Sequence, residues 1–119
     1  MAISVQSAKA KGRRLQQWVR DFLYSLFPIL EDGDIVSTSM GAGGEDIKLS
    51  PAARKLIPYS IECKQKKKHS VYTMYDQAVS NSGKHTPLLI VRQDRREALV
   101  VVDAGHFFKL IQELNERRL

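Results

Sequence analysis

The run IECKQ at positions 61–65 alternates apolar and polar residues, and it constrains the fold more than any other segment of the chain. Successive side chains of a β-strand point to opposite faces of the sheet. Ile61 and Cys63 can therefore enter a hydrophobic core while Glu62 and Lys64 emerge together on the other side. The run predicts a strand with one apolar face and one charged face.

A second run, DIKL from Asp46, repeats this alternation. Ile47 and Leu49 point one way and Asp46 points the other. The carboxylates of Asp46 and Glu62 and the amine of Lys64 would then share one face of neighbouring strands. Two carboxylates and an amine are the groups needed to hold Mg²⁺ and to activate a water molecule.

Each of these groups has an expected role. Asp46 and Glu62 would share the Mg²⁺, for which Mn²⁺ can substitute, and the main-chain carbonyl of Cys63 offers a further oxygen ligand. Lys64 would orient the water and stabilise charge on the reacting phosphate.

The composition indicates one ordinary folded domain over residues 1–119. The chain is 43% hydrophobic and 27% charged, and its single cysteine and three scattered histidines predict neither a disulfide nor a zinc cluster. No stretch approaches the roughly 20 apolar residues that a membrane span needs, and no secretory signal is recognisable. We therefore expect a cytoplasmic protein with no membrane partner.

The charge favours an anionic partner. With 19 basic and 13 acidic residues the net charge is +6, and the isoelectric point is about 9.6. Such a balance is typical of nucleic-acid-binding domains, although many basic proteins merely stay soluble.

Periodicity predicts the order α-β-β-(short α)-β-α-β-β-α. Residues 1–8 are expected to be a loose leader. The apolar runs at 88–91 and 98–102 are typical of strands covered on both faces. Helices are expected at about 9–27, 51–56, 71–82 and around 107–114, and strands at 35–40, 46–49, 59–65, 88–91 and 98–102.

Two helices have an apolar stripe that assigns their core residues. The second long helix is expected to bury Tyr72 and Tyr75 rather than to use them for stacking on bases. The first helix has Leu15, Trp18, Val19, Phe22, Leu23 and Leu26 on its apolar face, and Arg13, Gln16, Gln17 and Arg20 on its polar face.

These elements predict an α/β fold with a mixed central sheet flanked by helices. The first three strands would form an antiparallel meander, and the helix from residue 71 would cross over to a strand parallel to the third. Gly43 and Gly44 belong to a glycine-rich connection whose bare backbone lets a phosphate come close.

Several further residues are candidates for phosphate binding or metal binding. Each has a competing interpretation as a solvated surface residue. Glu45 is either a spare ligand or a solvated turn residue. The basic candidates are Arg13, Arg14, Lys66, Lys67 and Lys68.

The segments GEDI at 44–47 and SIECKQ at 60–65 resemble the PD-(D/E)XK nuclease superfamily. They are most similar to archaeal-type Holliday junction resolvases and related phage endonucleases. The resemblance spans most of the chain, because Lys11-Gly12 precedes an amphipathic helix and Gln77 lies on the helix after the key strand, as in that family.

The resemblance implies a restriction-endonuclease-like core and a Mg²⁺-dependent endonuclease. Asp46 and Glu62 would be metal ligands, Lys64 the catalytic lysine, and Ser39 and Gln77 would lie near the DNA. It further implies products with 5′-phosphate and 3′-hydroxyl ends, a homodimer, and a location in the host cytoplasm if the protein is phage-encoded. Branched DNA is the first expected substrate, and duplex or single-stranded DNA the second.

Two residues depart from the family's pattern. Gln16 stands where the first helix usually supplies a glutamate ligand, and Glu45 replaces the proline of the superfamily's name. Gln16 keeps a second hypothesis open, namely a catalytically silent nucleic-acid-binding module on the same fold. A third hypothesis is a small α/β protein that recognises another acidic partner.

Overall fold

Helices and strands follow one another in the predicted order. The computed structural model describes residues 5–38, 44–65 and 70–118, with the side chains of residues 5 and 6 left out. Within these residues the elements are α1 (Val5–Leu26), β1 (Ile35–Ser37), β2 (Ile47–Leu49), α2 (Pro51–Leu56), β3 (Tyr59–Gln65), α3 (Val71–Ser80), β4 (Thr86–Arg92), β5 (Leu99–Val101) and α4 (Ala104–Arg118).

The first helix begins earlier than its pattern predicts. Residues 5–8 belong to α1, so the expectation of a loose leader is wrong for them, and residues 1–4 lie outside the described part. Its end agrees with the prediction, because Pro28 follows closely and cannot continue a helix. Although α1 has 22 residues, no helix of the described residues is both long and apolar enough to cross a membrane.

The buried face of α1 differs from the predicted one. Leu15 and Val19 are buried, but Trp18 and Phe22 are 46% and 50% exposed. Gln16, predicted on the polar face, is buried at 1% exposure. The helix is thus turned about its axis, because its neighbours β1 and β3 contact the side that includes Gln16.

The α/β class and the mixed sheet are confirmed. β3 pairs with β4 in parallel and β4 pairs with β5 in antiparallel orientation, and α3 makes the crossover from β3 to β4. The continuous meander is wrong, because β1 and β2 form a separate antiparallel pair. A hydrogen bond from the Asp46 amide to the Ile61 carbonyl, 3.1 Å, links this pair to the edge of β3.

The core has two layers, one on each face of the β3–β4 pair. Ile61 and Cys63 pack with α1, β1 and β2 on one face. On the other face Leu89 packs with Met74 and Ala78 of α3. Tyr72 of α3 is 79% exposed, so its assignment to the core is wrong.

The last strand and helix are the most exposed part of the fold. Leu99 and Val100 of β5 are 62% and 59% exposed, so the prediction that both faces of this strand are covered is wrong. None of the residues of α4 is buried. The reason is that α4 extends away from the body, and the radius of gyration is 15.1 Å against about 13.5 Å for a compact domain of this length.

Candidate functional site

Strand β3 places Glu62 and Lys64 on the face covered by α3. Glu62 lies opposite Leu89 of β4, and Leu89 belongs to the layer under α3. The Glu62 side chain is 4% exposed and that of Lys64 is 16% exposed. Glu62 and Lys64 thus share the face opposite Ile61 and Cys63, as the alternation predicts, and α3 covers Glu62 there.

Two neighbours contact the Glu62 carboxylate. Asn81, just after α3, donates from Nδ2 to Oε2 over 3.1 Å. The Lys64 Nζ atom lies 3.5 Å from Oε1. Both contacts fix the orientation of the carboxylate, and both are favourable to its charged form.

The pKa of Glu62 is nevertheless raised above its ordinary value. Burial is the largest cause; the hydrogen bond from Asn81 opposes it, the negative charge of Asp46 adds to it, and Lys64 again opposes it. A buried carboxylate beside a second negative charge is short of positive charge. Such a site gains free energy when a cation binds.

Asp46 is attached to the free edge of β3 at two points. Its amide donates to the Ile61 carbonyl over 3.1 Å, and its Oδ2 atom accepts from the Cys63 amide over 2.8 Å. Thr38 also donates from its amide to the Asp46 carbonyl, 2.9 Å. The structure thus brings Asp46 beside Glu62, as the sequence predicts, although the two carboxylates come from different sheets.

The main chain of Cys63 faces the same edge. The N–H and C=O of one residue in a strand point the same way, so the Cys63 carbonyl lies on the side occupied by Asp46. Burial raises the pKa of the Cys63 thiol, which keeps it protonated. Cys63 can therefore offer a main-chain oxygen to a metal but not a thiolate.

These oxygen donors suit a hard cation such as Mg²⁺. This ion is usually held by one or two carboxylates and completes its shell with water and substrate phosphate. Among the described residues no group of three or more His, Cys, Asp or Glu side chains is placed to hold a metal. Asp46, Glu62 and the Cys63 carbonyl fit the smaller set that Mg²⁺ needs.

Gln16 is not placed as an exposed polar residue. Its Oε1 atom accepts a hydrogen bond from the Ser37 hydroxyl, 2.8 Å, at the end of β1. A glutamine oxygen engaged in this way is a weaker ligand than a free carboxylate. Its predicted role as a possible ligand stays a prediction.

Glu45 forms neither of the two expected arrangements. Its carboxylate accepts two hydrogen bonds from the Arg54 guanidinium, 2.6 and 2.9 Å. Arg54 also donates to the Tyr59 carbonyl at the start of β3. This pair ties α2 to the turn before Asp46 and to the start of β3, so Glu45 is neither free to bind a cation nor solvated.

The remaining predicted residues are divided between the described and undescribed parts. Arg13, Arg14 and Gln77 are exposed, and Gly44 adopts a φ of 84°, which suits glycine. Predictions for Ser39, Gly43, Lys66, Lys67 and Lys68 lie outside the described residues.

Asn81 is the site residue that the sequence analysis missed. It follows Gln77 by four positions, and residues so spaced lie on the same side of a helix. Its amide reaches Glu62, whereas Gln77 is exposed. The second amide one turn after Gln77 was the available signal, hidden because the segment 81–83 is also a typical helix end.

A groove of about 410 Å³ opens beside Asn81 and the turn that precedes Asp46. Its rim includes Lys48, Lys84 and His85 as well as Gly44. Glu45 also lines the groove, but its carboxylate is paired with Arg54, so the two lysines leave the groove attractive to an anion.

Comparisons with models of known protein families, with curated proteins and with solved structures found no match to this chain.

Proposed function

We propose that this protein is a Mg²⁺-dependent endonuclease that hydrolyses DNA phosphodiester bonds. The observation that carries the proposal is the attachment of Asp46 to the free edge of β3, beside Glu62 and the Cys63 carbonyl. The resemblance of the two segments around Asp46 and Glu62 to PD-(D/E)XK nucleases supports the same function, as does the net charge of +6.

Each residue of the candidate site would have its own role in the reaction. Asp46, Glu62 and the Cys63 carbonyl would hold Mg²⁺, which when bound neutralises the phosphate and acidifies a water molecule. Lys64, held beside Glu62, would orient that water and stabilise negative charge on the phosphate oxygens. Asn81 would keep the Glu62 carboxylate in place through its hydrogen bond.

A cleavage assay with matched variants tests the proposal. Supercoiled plasmid and synthetic four-way junctions are incubated with Mg²⁺ or Mn²⁺. We expect Glu62→Gln and Lys64→Met to lower the rate at least about 100-fold, the usual cost of removing one group that stabilises the transition state. The control Glu116→Gln makes the same carboxyl-to-amide change on exposed α4 and should cleave like the parent.

The same variants distinguish cleavage by this protein from cleavage by a contaminating enzyme. Cleavage that persists unchanged in Glu62→Gln would reveal a contaminating enzyme and contradict the assignment of the site. A panel of junction, flap, nicked and linear DNA then identifies the substrate; branched DNA is our first expectation, and duplex or single-stranded DNA the second.

A catalytically silent nucleic-acid-binding module is the second candidate function. Gln16 in place of a carboxylate, engaged by Ser37, favours it, and so does the burial of Glu62. It predicts that the parent and both site variants bind DNA equally and that none cleaves it. Negligible salt-dependent DNA affinity would contradict both candidates and favour another acidic partner.

A homodimer formed through α4 and β5 completes the proposal. The exposed side chains there include Phe107, Phe108, Ile111 and Leu114, together with Val100. They present roughly 500 Å² of apolar surface, taking about 150–250 Å² for a whole aromatic side chain. A standard interface buries about 800 Å² per partner, so these side chains would form the apolar centre of an interface with a second copy, and two copies would supply two sites for two nicks.

A further inference from the structure

A second cavity, of about 500 Å³, lies where β4 ends and turns into β5, under the first turn of α3. Its floor is apolar and its rim is rich in arginine. The floor is formed by Val71, Met74, Val91 and Leu99, and the rim includes Arg92, Arg95, Arg96 and one acid, Glu97.

Among the described residues, the arginines of the rim have no carboxylate partner. The ion pairs within the described residues join Lys11 with Asp94, Arg20 with Asp21, Arg54 with Glu45 and Lys64 with Glu62. Arg92, Arg95 and Arg96 take part in none of them. Three such guanidinium groups around one cavity attract an anion, and their forked geometry suits phosphate.

The backbone of the turn orients two of these arginines. The Arg92 Nε atom donates to the Arg96 carbonyl over 2.9 Å, which uses one of the five N–H donors of the guanidinium and leaves the others for an anion. Arg95 has a φ of 61°, a conformation that L-residues other than asparagine and aspartate seldom adopt. Such backbone strain in a non-glycine residue is found most often at binding sites, which agrees with a ligand at this turn.

The cavity begins one strand away from Lys64. In the parallel pairing of β3 and β4, Lys64 lies opposite Val91, and Arg92 follows Val91 at the end of β4. Residues paired in this way point to the same face, and neighbouring strands are about 4.8 Å apart. Val91 lines the cavity, so the cavity adjoins the candidate active site on the face covered by α3.

We propose that this cavity binds a backbone phosphate of the DNA strand that is held at Lys64. Successive phosphates of one strand are about 3.4 Å apart along the helix axis, so a strand passing Lys64 brings a neighbouring phosphate to Arg92, Arg95 and Arg96. The attached sugar would contact the apolar floor, where exclusion of water strengthens the charged contacts. This inference rests on the proposed DNA-cutting function.

DNA binding measured in EDTA tests this site without requiring metal or cleavage. A labelled duplex and a labelled junction are titrated by fluorescence anisotropy at several salt concentrations. We expect Arg96→Gln and Arg92→Gln each to weaken binding roughly three- to tenfold and to lower the salt slope by about 0.9 for each phosphate that is no longer neutralised. Arg117→Gln, an equal loss of charge on exposed α4, should change neither quantity.

Arg95→Asn separates binding from folding. Asparagine tolerates a positive φ better than arginine, so this variant should melt at or above the temperature of the parent and still bind DNA more weakly. It keeps the test decisive if Arg92→Gln or Arg96→Gln fails to fold, which circular dichroism would reveal.

Three results would overturn the inference. If the parent binds and cleaves DNA and the three arginine variants bind it equally well, the cavity is not a strand site although the proposed function stands. If a deoxynucleoside monophosphate or inorganic phosphate binds in an arginine-dependent manner while DNA affinity is unaffected, the ligand is a free phosphate. If the parent itself shows no salt-dependent DNA binding, both the function and this site fail.

Discussion

Strand β3 and helix α4 both have regular apolar patterns, but the apolar side chains of β3 are buried and those of α4 are exposed. Ile61 of β3 is 1% exposed and Cys63 is 7% exposed, and the polar face of the strand is covered as well. Phe107 and Leu114 of α4 are both 50% exposed. The apolar residues of β3 thus serve the fold of one chain, whereas those of α4 are available to another molecule.

The contacts that hold the two regions in place also differ, since β3 is held by several and α4 by few. Around β3, Asp46, Asn81 and Lys64 fix the backbone edge and the Glu62 carboxylate. Helix α4 contacts the body through a 2.7 Å hydrogen bond between His106 and Tyr59. A rigid strand suits a site that must hold reacting groups in place, and an exposed helix suits association.

The largest expected effect is on stability: truncating a side chain of β3 should destabilise the protein much more than truncating one of α4. Ile61→Ala should lower the free energy of unfolding by about 2–5 kcal/mol, because it opens a cavity in a packed core. Leu114→Ala should change it by no more than about 0.5 kcal/mol in the monomer, as at other exposed positions. Urea titrations followed by circular dichroism at low protein concentration measure both. Equal losses would show that α4 packs on its own chain.

Association gives the next largest effect. Ile111→Asp places a charge in the proposed interface of both copies and should raise the dimer dissociation constant at least about 100-fold. Lys109→Asp also introduces a carboxylate, but on the exposed side of α4 that faces away from Phe107 and Ile111, and it should leave the dimer intact. Sedimentation equilibrium measures both. A parent that is monomeric at every concentration would contradict the assignment of α4 as the interface.

The smallest expected effect concerns the buried carboxylate. Because burial and Asp46 raise the pKa of Glu62 above its value in the unfolded chain, the native state binds this proton more readily. The unfolding free energy therefore falls as the pH rises from the unfolded pKa through the native one. Glu62→Gln should be more stable than the parent at neutral pH by about 1–3 kcal/mol.

That advantage should vanish below about pH 4, where a carboxyl in an unfolded chain is also protonated. Urea titrations in EDTA across this pH range measure the difference. Added Mg²⁺ should then stabilise the parent and not the variant, because binding to the native state alone raises stability. A variant less stable than the parent at neutral pH would show that Glu62 is not short of positive charge.

Much of the fold was predictable from the sequence because local patterns encode it. Alternation at 61–65 predicted β3 with its bounds, Pro28 predicted the end of α1, and Ser50-Pro51 predicted α2, whose Ser50 hydroxyl accepts from the Ala53 amide over 3.1 Å. These signals depend on neighbouring residues alone, so no knowledge of distant contacts is needed.

The site was predictable in part. Asp46, Glu62 and Lys64 could be grouped because strand alternation assigns each to a face. Its spacing from Gln77 marks Asn81 as a candidate, but its contact with Glu62 depends on the crossing of α3 over β3. The burial of Gln16 likewise depends on how α1 is turned against β1, which its own apolar stripe does not determine.

The sequence by itself determined the order of the elements, the two faces of β3 and the grouping of Asp46, Glu62 and Lys64. Only the tertiary structure decided that Glu62 is covered, that Arg54 holds Glu45, that three arginines surround one cavity and that α4 extends from the body. The physical reason is that an apolar or charged residue specifies what kind of surface it needs. Which surface it meets depends on how distant segments pack.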